Sequence, residues 1–320
     1  MFDDLKADDP YFIPQMGSWP ETHHIFDEAA IWALRAAVCS ERPLLIQGEP
    51  GCGKSQLARA AAHVSGRAFI SEFVHSRTES RDLQWRFDAV ARLGEAQAQS
   101  IAGRNQGEGD PLNPCKFLEP GPLWWAFSWK SARDQAETFR SQVSEPHTPD
   151  GWCPSKGCVL LIDEIDKAEA DLPNGLLETL GNGAFTVPYV NKIIGFAENT
   201  PKPLVIITTN EERELPNAFL RRCLVLRMEL KKERKELISW LMERGAAHYG
   251  KWCNEKVCRE AAQMLWNDRQ DAKNAGVAAP GQAEYLDILK AVSRLGKDET
   301  DQIKKLQKIR DFVYIKVKRS

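Results

Sequence analysis

The stretch "GEPGCGKS", Gly48 to Ser55, decides how the rest of this 320-residue chain is read. Its spacing is G-x-x-x-x-G-K-S. The apolar run "PLLIQ" precedes it and the helix-forming "SQLARAAAHV" follows, so the glycines sit in the bend between a strand and a helix. Gly48, Gly51 and Gly53 let the backbone turn its N–H groups inward around a polyphosphate, and the start of the helix adds its positive end. Glu49, Pro50 and Cys52 complete the loop. In that setting Lys54 reaches the β- and γ-phosphates of a nucleotide, and the Ser55 hydroxyl ligates Mg²⁺.

Outward from the loop, the first 230 residues alternate short apolar runs with helical patterns. That alternation predicts a parallel sheet covered on both faces. The runs are "PLLIQ" (43–47), "AFISEFV" (68–74), "CVLLI" (158–162), "PLVIITT" (203–209) and "CLVLRMEL" (223–230). Between the second and third, Arg81–Ser100 reads as helical, Gly103–Pro122 as a Gly/Asn/Pro loop, and Ser144–Gly157 as an exposed loop. After about residue 230 the strand runs stop, and four amphipathic helical segments follow at 231–250, 254–270, 281–296 and 301–316. In the third, Leu286, Leu289, Val292 and Leu295 recur at helical spacing. The expected fold class is α/β: a three-layer nucleotide-binding core over residues 1–230, then a smaller α-helical lid over 231–320.

Two strand ends carry further chemistry. In "CVLLIDEIDKA" a buried run ends in Asp163 and Glu164, and ligands of open parallel sheets bind outside the carboxyl ends of the strands. Asp163 is placed to hold the Mg²⁺ shell and Glu164 to act as general base on the attacking water. The run "VIITT" ends at Asn210, a neutral polar residue suited to orient that water or to contact the γ-phosphate. Farther on, "FLRRC" puts Arg221 and Arg222 at the end of a short helical piece, directly before the last apolar run.

Bulk properties set limits. With 42% apolar and 28% charged residues the composition is that of a soluble globular protein, and a net charge of −2 argues against a polyanion binder. Charge is uneven: Met1–Pro10 carries net −3 and Asp301–Ser320 net +5, the latter read as a solvated helix face. No run approaches the ~20 apolar residues of a membrane span, and "MFDDLKADDP" is unlike a signal peptide. Eight scattered cysteines suggest reduced thiols in a cytoplasmic protein. The pairs Cys153/Cys158 and Cys253/Cys258 lack zinc-site spacing. Trp124, Trp125 and Trp129 read as core or subunit contacts rather than base-stacking groups, and Cys52 is placed where loop N–H groups and Lys54 could activate its thiol.

Taken together, the motifs at 48–55 and 158–164, Asn210 and the arginine pair resemble the AAA+ ATPases, whose motifs run in this order. The likeness is strongest to the MoxR-type branch. "FLEPGPLWWAF" (117–127) resembles its segment before the acidic strand, "LPNGLLETLGNGAFTVP" (172–188) its helix and hairpin before sensor 1, and "RDLQWRFDAVARL" (81–93) falls in its helix-2 insert, about residues 78–125. The resemblance implies ATP and Mg²⁺ as ligands and a homo-oligomeric, typically hexameric, ring. It makes Asn210 sensor 1, and Arg222 or Arg221 the finger that approaches ATP held by a neighbour, an effect worth ~10³–10⁵ in rate. It also implies remodelling of a protein client, often with a von Willebrand A-domain partner on another chain. Where many AAA+ proteins carry a sensor 2 arginine, this chain reads Pro280-Gly281-Gln282-Ala283-Glu284, and Arg294 lies about three turns along, so no sensor 2 is assigned. A restriction-type nucleic-acid translocase and a nucleotide-gated scaffold with little turnover are the alternatives, and Glu164 argues against the second.

Overall fold

The computed structural model describes residues 2–102, 110–139, 144–198 and 200–313. From the N-terminus, β1 (Pro10–Ile13) and β2 (Thr22–Ile25) pair antiparallel, and α1 (Glu28–Ser40), β3 (Leu44–Gln47), α2 (Lys54–Val64) and β4 (Ala68–Phe73) follow. Next come β5 (Trp85–Phe87), α3 (Ala89–Ala102), β6 (Leu118–Pro120), α4 (Pro122–Phe127) and α5 (Trp129–Thr138). The chain continues through β7 (Cys158–Asp163), α6 (Asp171–Asn182), β8 (Ala184–Val187), β9 (Lys192–Gly195), β10 (Leu204–Thr209), α7 (Asn217–Arg222) and β11 (Leu224–Arg227). It ends in α8 (Arg234–Tyr249), α9 (Glu255–Asn274), α10 (Gln282–Leu295) and α11 (Glu299–Val313).

All five apolar runs become strands of one sheet, in the order β11-β3-β10-β7-β4. Strands β4 and β10 each pair parallel with β7, with Leu160 opposite both Ile70 and Val205. Every residue of β7 and of β10 is buried, which is why these strands read as unbroken apolar runs rather than as alternation. Helices flank the sheet, so the expected α/β class holds.

The chain gathers into two compact bodies. The first comprises Met1–Asp4, Trp32–Leu45 and Ala58–Leu226. Its apolar core includes Leu160, Ile162 and Ile207 of the sheet with Trp124, Trp125, Phe127 and Trp129. The tryptophans are therefore core residues; Trp124 is fully buried. Arg81–Ser100 departs from the expected helix: Trp85–Phe87 forms a strand paired antiparallel with Leu118–Pro120, and helix begins only at Ala89. The physical reason is Gly121. Its N–H bonds the Gln84 carbonyl at 3.0 Å, and a Cβ there would lie 2.7 Å from the Leu83 carbonyl oxygen, so the two segments close tightly only around glycine. Part of the expected 103–122 loop (103–109) lies outside the described residues, as do residues 314–316 of the last helical segment.

The second body comprises Leu5–Ile31, Ile46–Leu57 and Arg227–Ser320. Thus the segment holding the phosphate loop groups with the C-terminal helices, whereas the sequence alone draws a single boundary near residue 230. The four helices share a core that includes Leu241, Val257, Leu265, Leu289, Val292 and Leu306. In α10 the buried stripe is Tyr285, Ile288, Leu289 and Val292, an i, i+3, i+4, i+7 set, while Leu295 is exposed. Leu289 and Val292 of the expected stripe are buried, but Tyr285, its hydroxyl donating to the Cys258 carbonyl, and Ile288 take the other inward positions in place of Leu286 and Leu295. Arg244 of α8 ties the N-terminal hairpin to the helices through Asp27 at 3.1 Å.

Candidate active site

In the first body, the ends of β7 and β10 are bound to each other by side chains. Thr208 is fully buried; its hydroxyl donates to Asp163 Oδ1 and accepts from the Glu164 N–H at 2.9 Å. Asp163 is itself buried, 4% exposed. Glu164 leaves the strand in a left-handed conformation (φ 58°, ψ 51°), which few non-glycine residues adopt. That turn brings Glu164 Oε1 to Asn210 Nδ2 at 2.9 Å, while Oε2 pairs with Lys167. Asp166, 2% exposed, accepts from the Asn210 N–H at 3.2 Å and the Glu212 N–H at 2.9 Å, fixing the turn after β10. Asp163, Glu164 and Asn210 are thus brought together. Thr208, Asp166 and Lys167, which lock them, were missed from sequence; the second aspartate of "DEID" was the available signal for Asp166.

In the second body, the loop Gly48–Gly53 is shaped by its glycines. Gly51 and Gly53 have φ of +76° and +97°, which favour glycine, and a Cβ at Gly48 would lie 2.3 Å from the Met228 carbonyl oxygen. Lys54 is 6% exposed at the start of α2, and its Nζ donates to the carbonyls of Gly48 at 2.7 Å and Glu49 at 3.0 Å. Ser55 follows in the first turn of the helix. A backbone cradle, a buried ammonium and a helix N-terminus suit a polyphosphate. The Ser55 hydroxyl of this body is a hard oxygen donor of the kind Mg²⁺ prefers, as, in the first body, is the Asp163 carboxylate. Cys52 departs from expectation. Its thiol is 4% exposed, and burial outweighs the nearby Lys54, pushing its pKa up rather than down. A thiol kept protonated is a poor nucleophile.

The helical segment of this body touches the loop. The Ala283 N–H donates to the Gly51 carbonyl at 3.1 Å. Arg269 of α9 donates to Glu49 Oε2 at 2.8 Å and to the Pro280 carbonyl at 2.6 Å. No sequence motif singled out Arg269.

Arg221 and Arg222 lie in the last turn of α7, in the first body, with both side chains exposed. Their backbone carbonyls are held by Arg42, whose guanidinium donates to the carbonyls of Arg221 at 2.5 Å, Arg222 at 3.2 Å and Cys223 at 3.1 Å. Arg42 thereby satisfies carbonyls that a helix end leaves open. Both arginines also line a pocket of about 410 Å³ whose apolar wall includes Leu177, Leu180, Phe196 and Val205.

This combination of motifs has a counterpart among known proteins: the AAA domain, dynein-related subfamily, matches residues 43–223. The chain belongs to that AAA family. The match spans the phosphate loop, the acidic strand end, Asn210 and both arginines of α7. No curated protein matches the chain. Among solved structures, an ATPase candidate from Cytophaga hutchinsonii is similar at 12% identity and a TM-score of 0.37, covering 89% of this chain and 79% of the other. The P216G mutant of Thermotoga maritima RuvB is similar at 15% identity and a TM-score of 0.46, covering 88% of this chain and 68% of the other. Among the described residues of this AAA protein, no helix is long and apolar enough to cross a membrane, and no cluster of three His, Cys, Asp or Glu is placed to hold a metal ion.

Proposed function

We propose that this AAA protein is a Mg²⁺-dependent ATP hydrolase that works as a homo-oligomeric, hexameric ring and remodels or activates a protein client in the MoxR manner, in the cytoplasm. The observation that carries the hydrolase reading is Glu164, turned out of β7 in a left-handed conformation and bonded to Asn210. A domain that only bound nucleotide would have no use for a carboxylate held that way.

In this reading the N–H groups of Gly51, Gly53 and Lys54 and the Lys54 ammonium bind the phosphates. The Glu164 carboxylate takes a proton from the attacking water as that water adds to the γ-phosphorus, and Asn210 keeps the carboxylate oriented. The bond from the γ-phosphorus to the bridging oxygen breaks, giving ADP and phosphate. Ser55 and Asp163 would each offer Mg²⁺ an oxygen ligand, and the ion would supply charge neutralisation on the phosphate oxygens. Arg222, with Arg221 beside it, serves the nucleotide of a neighbouring subunit, which is consistent with both side chains being exposed and with no ion pair to either among the described residues. The client, a von Willebrand A-domain partner included, comes from another chain.

The test is phosphate release from Mg-ATP by the purified chain, with sedimentation to size the assembly. Lys54→Ala and Arg222→Ala should each be inactive, and mixing them should restore part of the activity at interfaces that pair an intact loop with an intact arginine. A wild-type chain that neither binds nor hydrolyses ATP ends the proposal. Mixed assemblies that form but stay inactive end the role of Arg222 in a neighbour's site.

A further inference from the structure

Arg269 is an unusual residue to find inside a helical bundle. It is 5% exposed, sits on α9 and carries a permanent charge, yet its partners lie outside its own helix. One arm of the guanidinium reaches the Pro280 carbonyl, immediately before α10; the other reaches the carboxylate of Glu49, the second residue of the phosphate loop. Glu49 is bound at both ends, since its carbonyl accepts from Lys54 Nζ at 3.0 Å. The start of α10 adds a backbone bond to the loop, Ala283 N–H to the Gly51 carbonyl, and its capping Glu284 accepts from the Gly281 N–H at 2.9 Å. A Cβ on Gly51 would lie 3.1 Å from Ala283 Cβ, so the helix start leaves little room for a side chain at this point of the loop.

The charge arithmetic of this cluster is what matters. A loop built to receive phosphates carries a carboxylate one residue after its first glycine, and a bare carboxylate there repels any polyphosphate nearby. Arg269 sets a counter-charge against it from a side chain that is 6% exposed, while the Glu49 carboxylate is 55% exposed, so solvent screens part of the interaction and the fixed geometry carries the rest. Its fork also fixes the Glu49 side chain, and through the Glu49 peptide it fixes a carbonyl that holds Lys54. We propose that Arg269 is a positioning residue for nucleotide binding: through its bond to Glu49 it offsets that carboxylate's charge and sets the phosphate loop. This inference rests on the hydrolase reading above.

The test measures binding of a fluorescent ADP analogue with Mg²⁺ to the full chain, so hydrolysis is not needed for a readout. Arg269→Gln keeps a hydrogen-bond donor toward Pro280 and loses the charge; it should weaken binding about three- to tenfold, with KM for ATP rising more than kcat falls. Glu49→Gln in that background removes the unmasked carboxylate and should recover a substantial part of the loss. Circular dichroism and a thermal melt check folding of each variant. If Arg269→Gln is unstable, Arg269→Lys takes its place: it keeps the charge but not the two-armed grip, and should bind with an affinity between wild type and the Gln variant. Variants that fold and bind within twofold of wild type overturn the inference, as does a loss that Glu49→Gln does not relieve. A wild-type chain that binds no nucleotide would instead overturn the hydrolase reading.

Discussion

Asn210 Nδ2 donates to Glu164 Oε1 at 2.9 Å, joining the residue that follows β10 to the residue that follows β7. The strand ends are thereby read as one unit. Glu164→Gln should lower turnover by at least ~10²-fold while leaving nucleotide bound, because the proton acceptor is lost and the loop is untouched. Asn210→Ala should lower kcat by a smaller factor, and the double variant should be no worse than Glu164→Gln alone, since both act through one carboxylate. Single-turnover phosphate release checks this; effects that multiply would mean that the two residues act separately.

Asp166 makes a prediction about stability rather than rate. Its carboxylate satisfies the N–H groups of Asn210 and Glu212 and is almost fully buried. Asp166→Ala strands those donors and should cost about 1–3 kcal/mol, read as a lower midpoint in guanidinium. Asp166→Asn retains one acceptor oxygen and should cost less.

Arg42 grips the backbone of α7 at the residues proposed to act as fingers. Arg42→Ala should leave nucleotide affinity within twofold and reduce kcat about 10- to 100-fold, the penalty of a displaced catalytic group. A rise in KM with kcat preserved would place Arg42 in binding instead.

Two histidines give a pH dependence with a definite sign. Burial, then Arg244 and His248, push His24 down to about 3; burial, then His23 and Arg244, push His248 down to about 4. Unfolded, both titrate near ~6.5, so between these values the unfolded chain binds more protons than the folded one. Stability is therefore full above about 6.5 and falls as the pH drops toward 4, by up to about 1.4 kcal/mol per pH unit for each histidine. The guanidinium midpoint should be lower at pH 5 than at pH 7, and His24→Gln with His248→Gln should flatten the difference. A midpoint that does not move between pH 7 and pH 5 contradicts it.

How far the chain could be read from its residues varied with the range of the forces involved. The five sheet strands were legible because burial on both faces leaves uninterrupted apolar runs, and the Gly48–Ser55 spacing is imposed by local backbone geometry. Trp85–Phe87 was not legible as a strand: what makes it one is the close approach at Gly121, more than thirty residues away. The α10 stripe was legible at Leu289 and Val292 but not at its start, because Tyr285 counts as half polar in a pattern yet buries its ring and bonds Cys258. Arg269 was invisible for a different reason. A single arginine in a polar stretch of helix carries no pattern, and its importance comes only from the carboxylate that folding sets beside it.

The residue before Arg269 extends that point. Asp268, nearly buried, is gripped through both carboxylate oxygens by Arg310 of α11. Consecutive residues project about 100° apart around a helix, so α9 is fastened on one flank to α11 and on the other to Glu49. It cannot roll about its own axis without stretching one fastening or the other. Adjacent residues of one helix thus join α11 to the segment that holds Glu49, by one ion pair on each flank.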